Sequence, residues 1–100
     1  MVSELGICQA TLIGRLVEEP KVTQDDPLVI ETKMVAIRRV VTETGERRPY
    51  ENTFTIRATG TAAKNILNNY FPNKHCYING EMTVYDGEVV VHAAQLLWQP

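Results

Sequence analysis

Apolar and polar residues alternate along most of this 100-residue chain, and one internal segment breaks the alternation. Alternation places apolar side chains on one face of a β-strand, whereas a repeat of about 3.6 residues places them on one face of a helix. The helical repeat follows Thr61, an expected N-cap, and ends before Pro72. Its apolar stripe consists of Ala63, Ile66, Leu67 and Tyr70. The strand pattern covers residues 7–17, 28–41, 52–59, 75–85 and 88–98.

The predicted order of elements is therefore β-β-β-α-β-β. Polar residues 18–27, with two prolines, predict a turn region, and residues 42–49 predict a hairpin loop. Asp86-Gly87 predicts a two-residue type I′ turn between the last two strands. All-β sequence with one short helix between the third and fourth of five strands is typical of an OB-fold, a five-stranded Greek-key barrel. We expect a single OB-fold domain over residues 1–100.

Two glycines support the barrel. Gly14 and Gly80 both lie on the apolar face of their strands, where a glycine usually marks a sharp bend or a close approach of another backbone. In an OB-fold the first and fourth strands must coil sharply, and these are the strands that carry the glycines. We interpret Gly14 as a barrel-corner glycine rather than as part of a ligand cradle.

Composition narrows the class of protein. Hydrophobic residues make up 44% and charged residues 22% of the chain, as in ordinary globular domains. No apolar run approaches the ~20 residues of a membrane span, and the N-terminus has no signal-peptide pattern. The expectation is an intracellular protein of the cytoplasm or nucleoid, or of an organelle. Cys8 and Cys76 are expected to be buried, reduced thiols.

The charges are unevenly distributed. The whole chain has a net charge of −2, but residues 33–57 hold six basic and three acidic residues, a net charge of +3. Such a contiguous excess can make a positive patch on an acidic protein. An ordinary solvated surface would have the same composition.

The sequence contains no motif typical of catalysis, of a cofactor or of a metal. His75 and His92 are isolated and are interpreted as structural. An enzyme is therefore not expected, and neither catalytic residues nor cofactors are assigned.

Four segments resemble one family. LIGRLVEEPKV (residues 12–22) is similar to the opening of bacterial-type single-stranded DNA-binding proteins, with an apolar-Gly-x-Leu step before an acidic-Pro turn. ATG (58–60) resembles the exit of the family's third strand, YINGEM (77–82) its fourth strand, and VVVHAAQL (89–96) its last strand. The resemblance spans most of the chain.

The resemblance implies a non-enzymatic OB-fold that binds single-stranded DNA in replication, recombination or repair, working as a homo-oligomer, a dimer or a tetramer. Such domains follow the phosphate backbone with basic residues and stack bases on aromatic side chains. The family's stacking positions correspond to about Val41, Thr53 and Thr59, none of which is aromatic. The family's acidic C-terminal tail is also missing after LLWQP. A divergent, tail-less member is expected: a primosome-type, phage or plasmid protein, or a subunit of an organellar RNA-editing complex.

Candidate contacts to nucleic acid come from basic and exposed aromatic residues. Arg57 projects with Thr53 and Thr55 from one polar strand face, and the consecutive Arg38 and Arg39 point to opposite faces. The full candidate set is Lys33, Arg38, Arg39, Arg47, Arg48, Tyr50, Arg57, Tyr77 and Tyr85.

A second hypothesis belongs to another class of function. The acidic net charge and the absent stackers favour an OB-fold that serves as an assembly subunit and pairs through exposed barrel edges with protein partners of a replication or RNA-processing complex. The sequence leaves the choice between DNA and RNA open, because recognition of the 2′-hydroxyl depends on local geometry.

Overall fold

The computed structural model describes residues 8–99 of the chain, and of residues 38–40 it describes the backbone alone. No helix within the described part is long and apolar enough to cross a membrane. Within residues 8–99, six strands and one helix follow one another: β1 (Gln9–Leu16), β2 (Lys21–Asp25), β3 (Leu28–Val41), β4 (Arg47–Thr59), α1 (Gly60–Asn69), β5 (His75–Tyr85) and β6 (Glu88–Trp98).

The strands form one sheet that closes on itself. Their order is β1-β5-β6-β4-β3-β2, and an additional pairing of β1 with β3 completes a ring. The closing contact is short, with Arg15 opposite Val35 and Leu16 opposite Met34. Neighbours in the ring are antiparallel except β4 and β6, which run parallel. This topology confirms the predicted OB-fold.

One strand is absent from the sequence prediction. β2 lies within the segment predicted as a turn region, and it pairs with the beginning of β3 across the cis peptide bond of Asp26-Pro27. All five of its residues are exposed. A strand with no buried face has no apolar alternation, so hydrophobic periodicity cannot reveal it.

Side chains from five strands and the helix fill the barrel. Ala63 and Ile66 of α1 are fully buried, and Tyr70, just beyond the helix, packs against the core cluster. Leu67 of the predicted stripe is 37% exposed. The N-cap is Thr59 rather than the predicted Thr61. The core cluster consists of Leu16, Ile30, Met34, Ile56, Ala58, Ala63, Ile66, Cys76, Ile78, Val91 and Leu96.

The helix begins two residues earlier than predicted because of Gly60. Its φ of 58° lets the chain turn from β4 directly into α1. An apolar stripe gives the helical face but does not reveal a left-handed glycine at the start of the helix.

The two in-strand glycines are required by close backbone approaches. A Cβ at Gly14 would overlap the carbonyl oxygen of Val35 in β3, and one at Gly80 would overlap that of His92 in β6. Gly80 also lies where the pairing of β5 with β6 shifts register. Both glycines therefore let neighbouring strands cross closely in the barrel.

The two cysteines differ in environment. Cys76 is fully buried, and desolvation raises the pKa of its thiol from 9.0 to about 11. Cys8 is exposed, so the expectation that it is buried was wrong. It is in phase with Ala10 and Leu12, which pack against the core, but it lies one residue before β1, at the end of the barrel where the core no longer covers it.

A long hairpin extends beyond the barrel. Within the described residues, β3 after Val35 pairs with β4 alone, from Ala36 opposite Asn52 to Val41 opposite Arg47. We call residues 36–52 the β3–β4 arm. Its backbone carries four of the predicted basic residues, Arg38, Arg39, Arg47 and Arg48, away from the barrel wall.

Candidate nucleic-acid interface

The solvent-facing side of β3, β4, β6 and β5, here called the outer face, presents side chains in rows. Strand register brings Glu31, Arg57, His92 and Glu81 into one row and Lys33, Thr55, Val90 and Thr83 into the next. Adjacent strands lie about 4.8 Å apart, so neighbouring members of a row are within contact distance. The outer face thus combines residues that are far apart in the sequence.

A groove of about 400 Å³ crosses the outer face on its β6 and β5 side. We call it the Tyr85 groove; it is lined by Arg57, Thr83, Tyr85, Val90 and His92. Tyr85 is 77% exposed, whereas Val90 is buried without belonging to the core cluster and forms the floor. The groove thus brings together Arg57 and Tyr85, which the sequence analysis proposed as two independent candidates.

The β5–β6 turn positions the tyrosine. Asp86 and Gly87 have φ values of 52° and 78°, as a type I′ turn requires, which confirms the predicted turn. The turn holds Tyr85 opposite Glu88 at the end of the strand pair. The aromatic ring therefore stands at an edge of the outer face, with most of its surface open to solvent.

Carboxylates neutralise part of the basic character of this face. The Arg57 guanidinium Nη2 donates to Glu31 Oε2 at 3.2 Å, and both side chains are partly exposed. Thr55 Oγ1 donates to Glu88 Oε1, which covers the threonine so that it is only 2% exposed. Thr55 lies on the same strand face as Arg57, as predicted, but the glutamate over it leaves it inaccessible to a phosphate.

Lys33 lies in a second, smaller groove of about 280 Å³. The same groove is lined by Glu18, Glu31 and Glu88 as well as by Lys21, which pairs with Glu18 at 3.4 Å. Glu31 lines this groove while its partner Arg57 lines the Tyr85 groove. The Arg57–Glu31 ion pair therefore separates the two grooves.

The β3–β4 arm carries the other candidates. Arg47 and Arg48 are exposed near its tip, and Arg48 Nε and Nη2 donate to Glu46 Oε2 at 3.2 and 2.9 Å. Tyr50 is half-exposed, and neither it nor the two arginines line the Tyr85 groove. The side chains of Arg38 and Arg39 lie outside the described residues.

Tyr77 belongs to a different surface. It lies opposite Ile13 of β1 and Leu97 of β6, and these two apolar side chains are 60% and 54% exposed. We call Ile13, Tyr77 and Leu97 the Ile13 patch. Four residues of β5, about 13 Å, separate Tyr77 from the row that contains Glu81. The structure therefore does not bring Tyr77 together with Tyr85.

Sequence reasoning missed His92 as a candidate. It had been interpreted as structural, but it lines the Tyr85 groove, and its Nε2 lies 3.3 Å from Thr83 Oγ1. The signal that would have revealed it is register: in the parallel pairing of β4 with β6, His92 lies opposite Arg57. An isolated histidine in a strand does not carry that information.

Solved structures of other proteins have the same architecture as this chain. A small single-stranded DNA-binding protein from Streptomyces coelicolor superimposes with a TM-score of 0.79 at 12% identity, covering 96% of each chain. The Plasmodium falciparum single-stranded DNA-binding protein, solved in complex with single-stranded DNA, gives a TM-score of 0.80 at 13% identity and covers 99% of this chain and 100% of its own. The chain has the fold of single-stranded DNA-binding proteins.

The same fold extends to the protein PriB from Ralstonia solanacearum, with a TM-score of 0.70, 18% identity, and coverage of 94% of this chain and 100% of PriB. No protein-family model matches the sequence, and no curated protein matches it. At identities this low, barrel geometry survives while most individual contacts do not. The likeness therefore establishes the OB-fold of this chain, and its ligand must be argued from its own residues.

Proposed function

We propose that this chain is a non-enzymatic protein that binds single-stranded DNA across the outer face and acts inside the cell in replication, recombination or repair. The observation that carries the proposal is the Tyr85 groove, where an exposed aromatic ring and a guanidinium share one cleft. Single-strand binding without sequence preference needs these two groups: a ring on which a base stacks and a cation for the phosphate.

In this proposal each residue that lines the groove has a role. A base stacks on Tyr85, Val90 supplies an apolar floor beneath the sugar or base edge, and His92 and Thr83 offer polar contacts. A phosphate of the bound strand replaces Glu31 as the partner of the Arg57 guanidinium. An ion pair between exposed side chains contributes only about 0–1 kcal/mol, so this exchange costs little.

Lys33 extends the cationic path from the next row, and the β3–β4 arm contributes Arg47 and Arg48. Tyr50 and the arginines Arg38 and Arg39 are retained as candidate contacts of this arm. In this arrangement the strand is held first by the outer face and then by the arm.

The experiment is a titration of labelled oligo-dT and oligo-U with the protein, read by fluorescence anisotropy over a series of salt concentrations. We expect tight binding to oligo-dT that weakens linearly in log–log form as salt rises, because neutralised phosphates release counterions. Arg57→Gln should weaken binding and reduce the salt slope by about 1. Exposed Lys64 on α1 provides the control, since Lys64→Gln removes the same charge elsewhere. Binding that is absent, or that does not respond to salt, would overturn the proposal.

A second candidate function, an assembly subunit, is favoured by the Ile13 patch. Two strongly exposed apolar side chains beside a half-buried tyrosine are costly in water and suit a protein contact. Within the described residues, Gln9–Ile13 of β1 pair on one side only, which leaves a backbone edge free. We infer a homo-oligomer, a dimer or a tetramer, built on this surface.

Light scattering tests the oligomer. The native chain should exceed the monomer mass, and Ile13→Lys should return it to the monomer while the Tyr85 groove still binds oligo-dT. An Ile13→Lys variant that keeps the native mass would rule out this surface. A chain that oligomerises through the Ile13 patch but binds neither oligonucleotide would favour the assembly subunit over the DNA-binding protein.

A further inference from the structure

A separate groove lies at the opposite end of β6 from the Tyr85 groove. It has a volume of about 860 Å³ and is formed by residues 68–75 together with Gln99. Phe71, in the connection between α1 and β5, is 69% exposed there. We call this groove of residues 68–75 and Gln99 the Phe71 groove. An aromatic ring left this open has most of one face available for another planar group.

The lining of this groove suits a nucleotide. Besides Phe71, it presents the amide side chains of Asn68, Asn69, Asn73 and Gln99, the ammonium group of Lys74 and the imidazole of His75. No carboxylate is among its described lining residues, in contrast to the groove around Lys33. Amides provide both donors and acceptors for base edges, and a cationic site without carboxylates does not repel a phosphate.

The backbone of the connection is tied to the barrel. Asn73 adopts a φ of 64° and its N–H donates to the carbonyl of Leu16 at 2.9 Å, while the N–H of Lys74 donates to the carbonyl of Phe71 at 3.0 Å. The backbone that carries Phe71 is thereby held by two hydrogen bonds. A stacking residue whose backbone is already ordered loses less conformational entropy on binding.

Lys74 is also positioned in advance. Its Nζ lies 4.6 Å from the centre of the Trp98 ring and 3.4 Å from the carbonyl oxygen of Asn69 at the end of α1. Trp98 in turn donates from Nε1 to Asn65 Oδ1 at 2.9 Å. The ammonium group therefore stays beside the groove.

We propose that the Phe71 groove is a second nucleotide subsite for the same single strand, with a base stacked on Phe71 and a phosphate beside Lys74. This inference rests on the proposed function, because the strand reaches the Phe71 groove from the Tyr85 groove. His92 and Gln99 are seven positions apart on β6 and its continuation, a separation on the order of 20 Å. A strand long enough to span that distance engages both grooves, and a shorter one engages only the first.

An apolar peptide or a second copy of the chain fits this groove less well. Such partners need a lining with few polar groups at its centre, and here the polar side chains outnumber the apolar ones. The Ile13 patch has the apolar character that a protein contact requires.

The test compares oligo-dT of about 4 and about 16 nucleotides, the limits of site size for one OB domain, in anisotropy titrations of the native chain and Phe71→Ala. We expect Phe71→Ala to weaken binding of the long oligonucleotide by about 5- to 150-fold and to leave the short one unchanged. Lys74→Gln should reproduce the pattern more weakly. Val22→Ala, on the exposed strand β2, is the control for loss of an exposed apolar side chain.

The titrations distinguish failure of the second subsite from failure of the proposed function. If the native chain binds both lengths and Phe71→Ala weakens neither, or weakens both equally, the second subsite is wrong while the proposed function stands. If the native chain binds neither length, the proposed function fails and the subsite fails with it. Thermal unfolding of Phe71→Ala should match that of the native chain because the ring is exposed; a large drop would mean that the ring is structural and would also overturn the subsite.

Discussion

Arg57 and Glu31 face each other across β4 and β3, with Nη2 of the guanidinium 3.2 Å from Oε2 of the carboxylate. The arginine lines the Tyr85 groove and the glutamate lines the neighbouring groove around Lys33. The proposed phosphate contact is thus occupied in the free protein by a side-chain carboxylate. If Arg57 binds phosphate as proposed, Glu31 competes with the nucleic acid for the guanidinium.

Removing the competitor should strengthen binding. Glu31→Gln leaves Arg57 free and removes a negative charge beside the strand, so the affinity for oligo-dT should rise about two- to fivefold, the equivalent of an exposed ion pair. Anisotropy titrations at low salt measure the change. Glu19→Gln removes an exposed carboxylate outside both grooves and is the matched control. Equal gains from the two variants would mean that net charge alone is responsible.

Tyr85 should be the strongest single contact in its groove. Tyr85→Ala removes the stacking surface and should weaken oligo-dT binding by about 1–3 kcal/mol, whereas Tyr85→Phe should retain most of the affinity. The adjacent Val84 is similarly exposed, so Val84→Ala tests whether any exposed side chain on this hairpin has the same effect. A Tyr85→Ala variant that binds like the native chain would remove stacking from the proposed mechanism.

Gly80 should be intolerant of substitution. In Gly80→Ala the new methyl group overlaps the carbonyl oxygen of His92, so β5 and β6 must separate, at a cost of at least about 1–3 kcal/mol of unfolding free energy. Gly45→Ala is the comparison: its Cβ has no neighbour within 4 Å, and only the φ of 83° is strained, by about 1–2 kcal/mol. Urea unfolding measures both. The expectation fails if Gly45→Ala loses more stability than Gly80→Ala.

The buried thiol predicts a loss of stability in alkali. The pKa of Cys76 is about 11 in the folded chain and 9.0 without burial, so below pH 9.0 the thiol is protonated in both states and its contribution is complete. As the pH rises from 9.0 to about 11, only the unfolded chain ionises at this position, and the free energy of unfolding falls. Urea unfolding measured across this pH range should show that the free energy of unfolding falls less for Cys76→Ala than for the native chain. Cys8→Ala changes an exposed thiol, so its free energy of unfolding should fall as much as that of the native chain.

The candidate site was only partly predictable. Arg57 and Tyr85 could be nominated because a charged residue on a strand face and an aromatic beside a turn are visible in the sequence. Their meeting in one groove depends on the pairing of β4 with β6 and of β6 with β5, which a local pattern does not contain. The same pairings place His92 in the Tyr85 groove and leave Tyr77 outside it. Glu88 covers Thr55 only when β6 lies beside β4.

Local patterns were enough to predict the strands that face the core, the helix between β4 and β5, the type I′ turn at Asp86-Gly87 and hence the OB-fold. These features follow from periodicity and from turn chemistry, both of which are local. Three features depend on contacts between distant segments: β2, which has no buried face, the pairing of Arg57 with Glu31, and the two grooves at opposite ends of β6. The reason is that a surface site is defined by strand register, and register is fixed only when the barrel closes and its core packs.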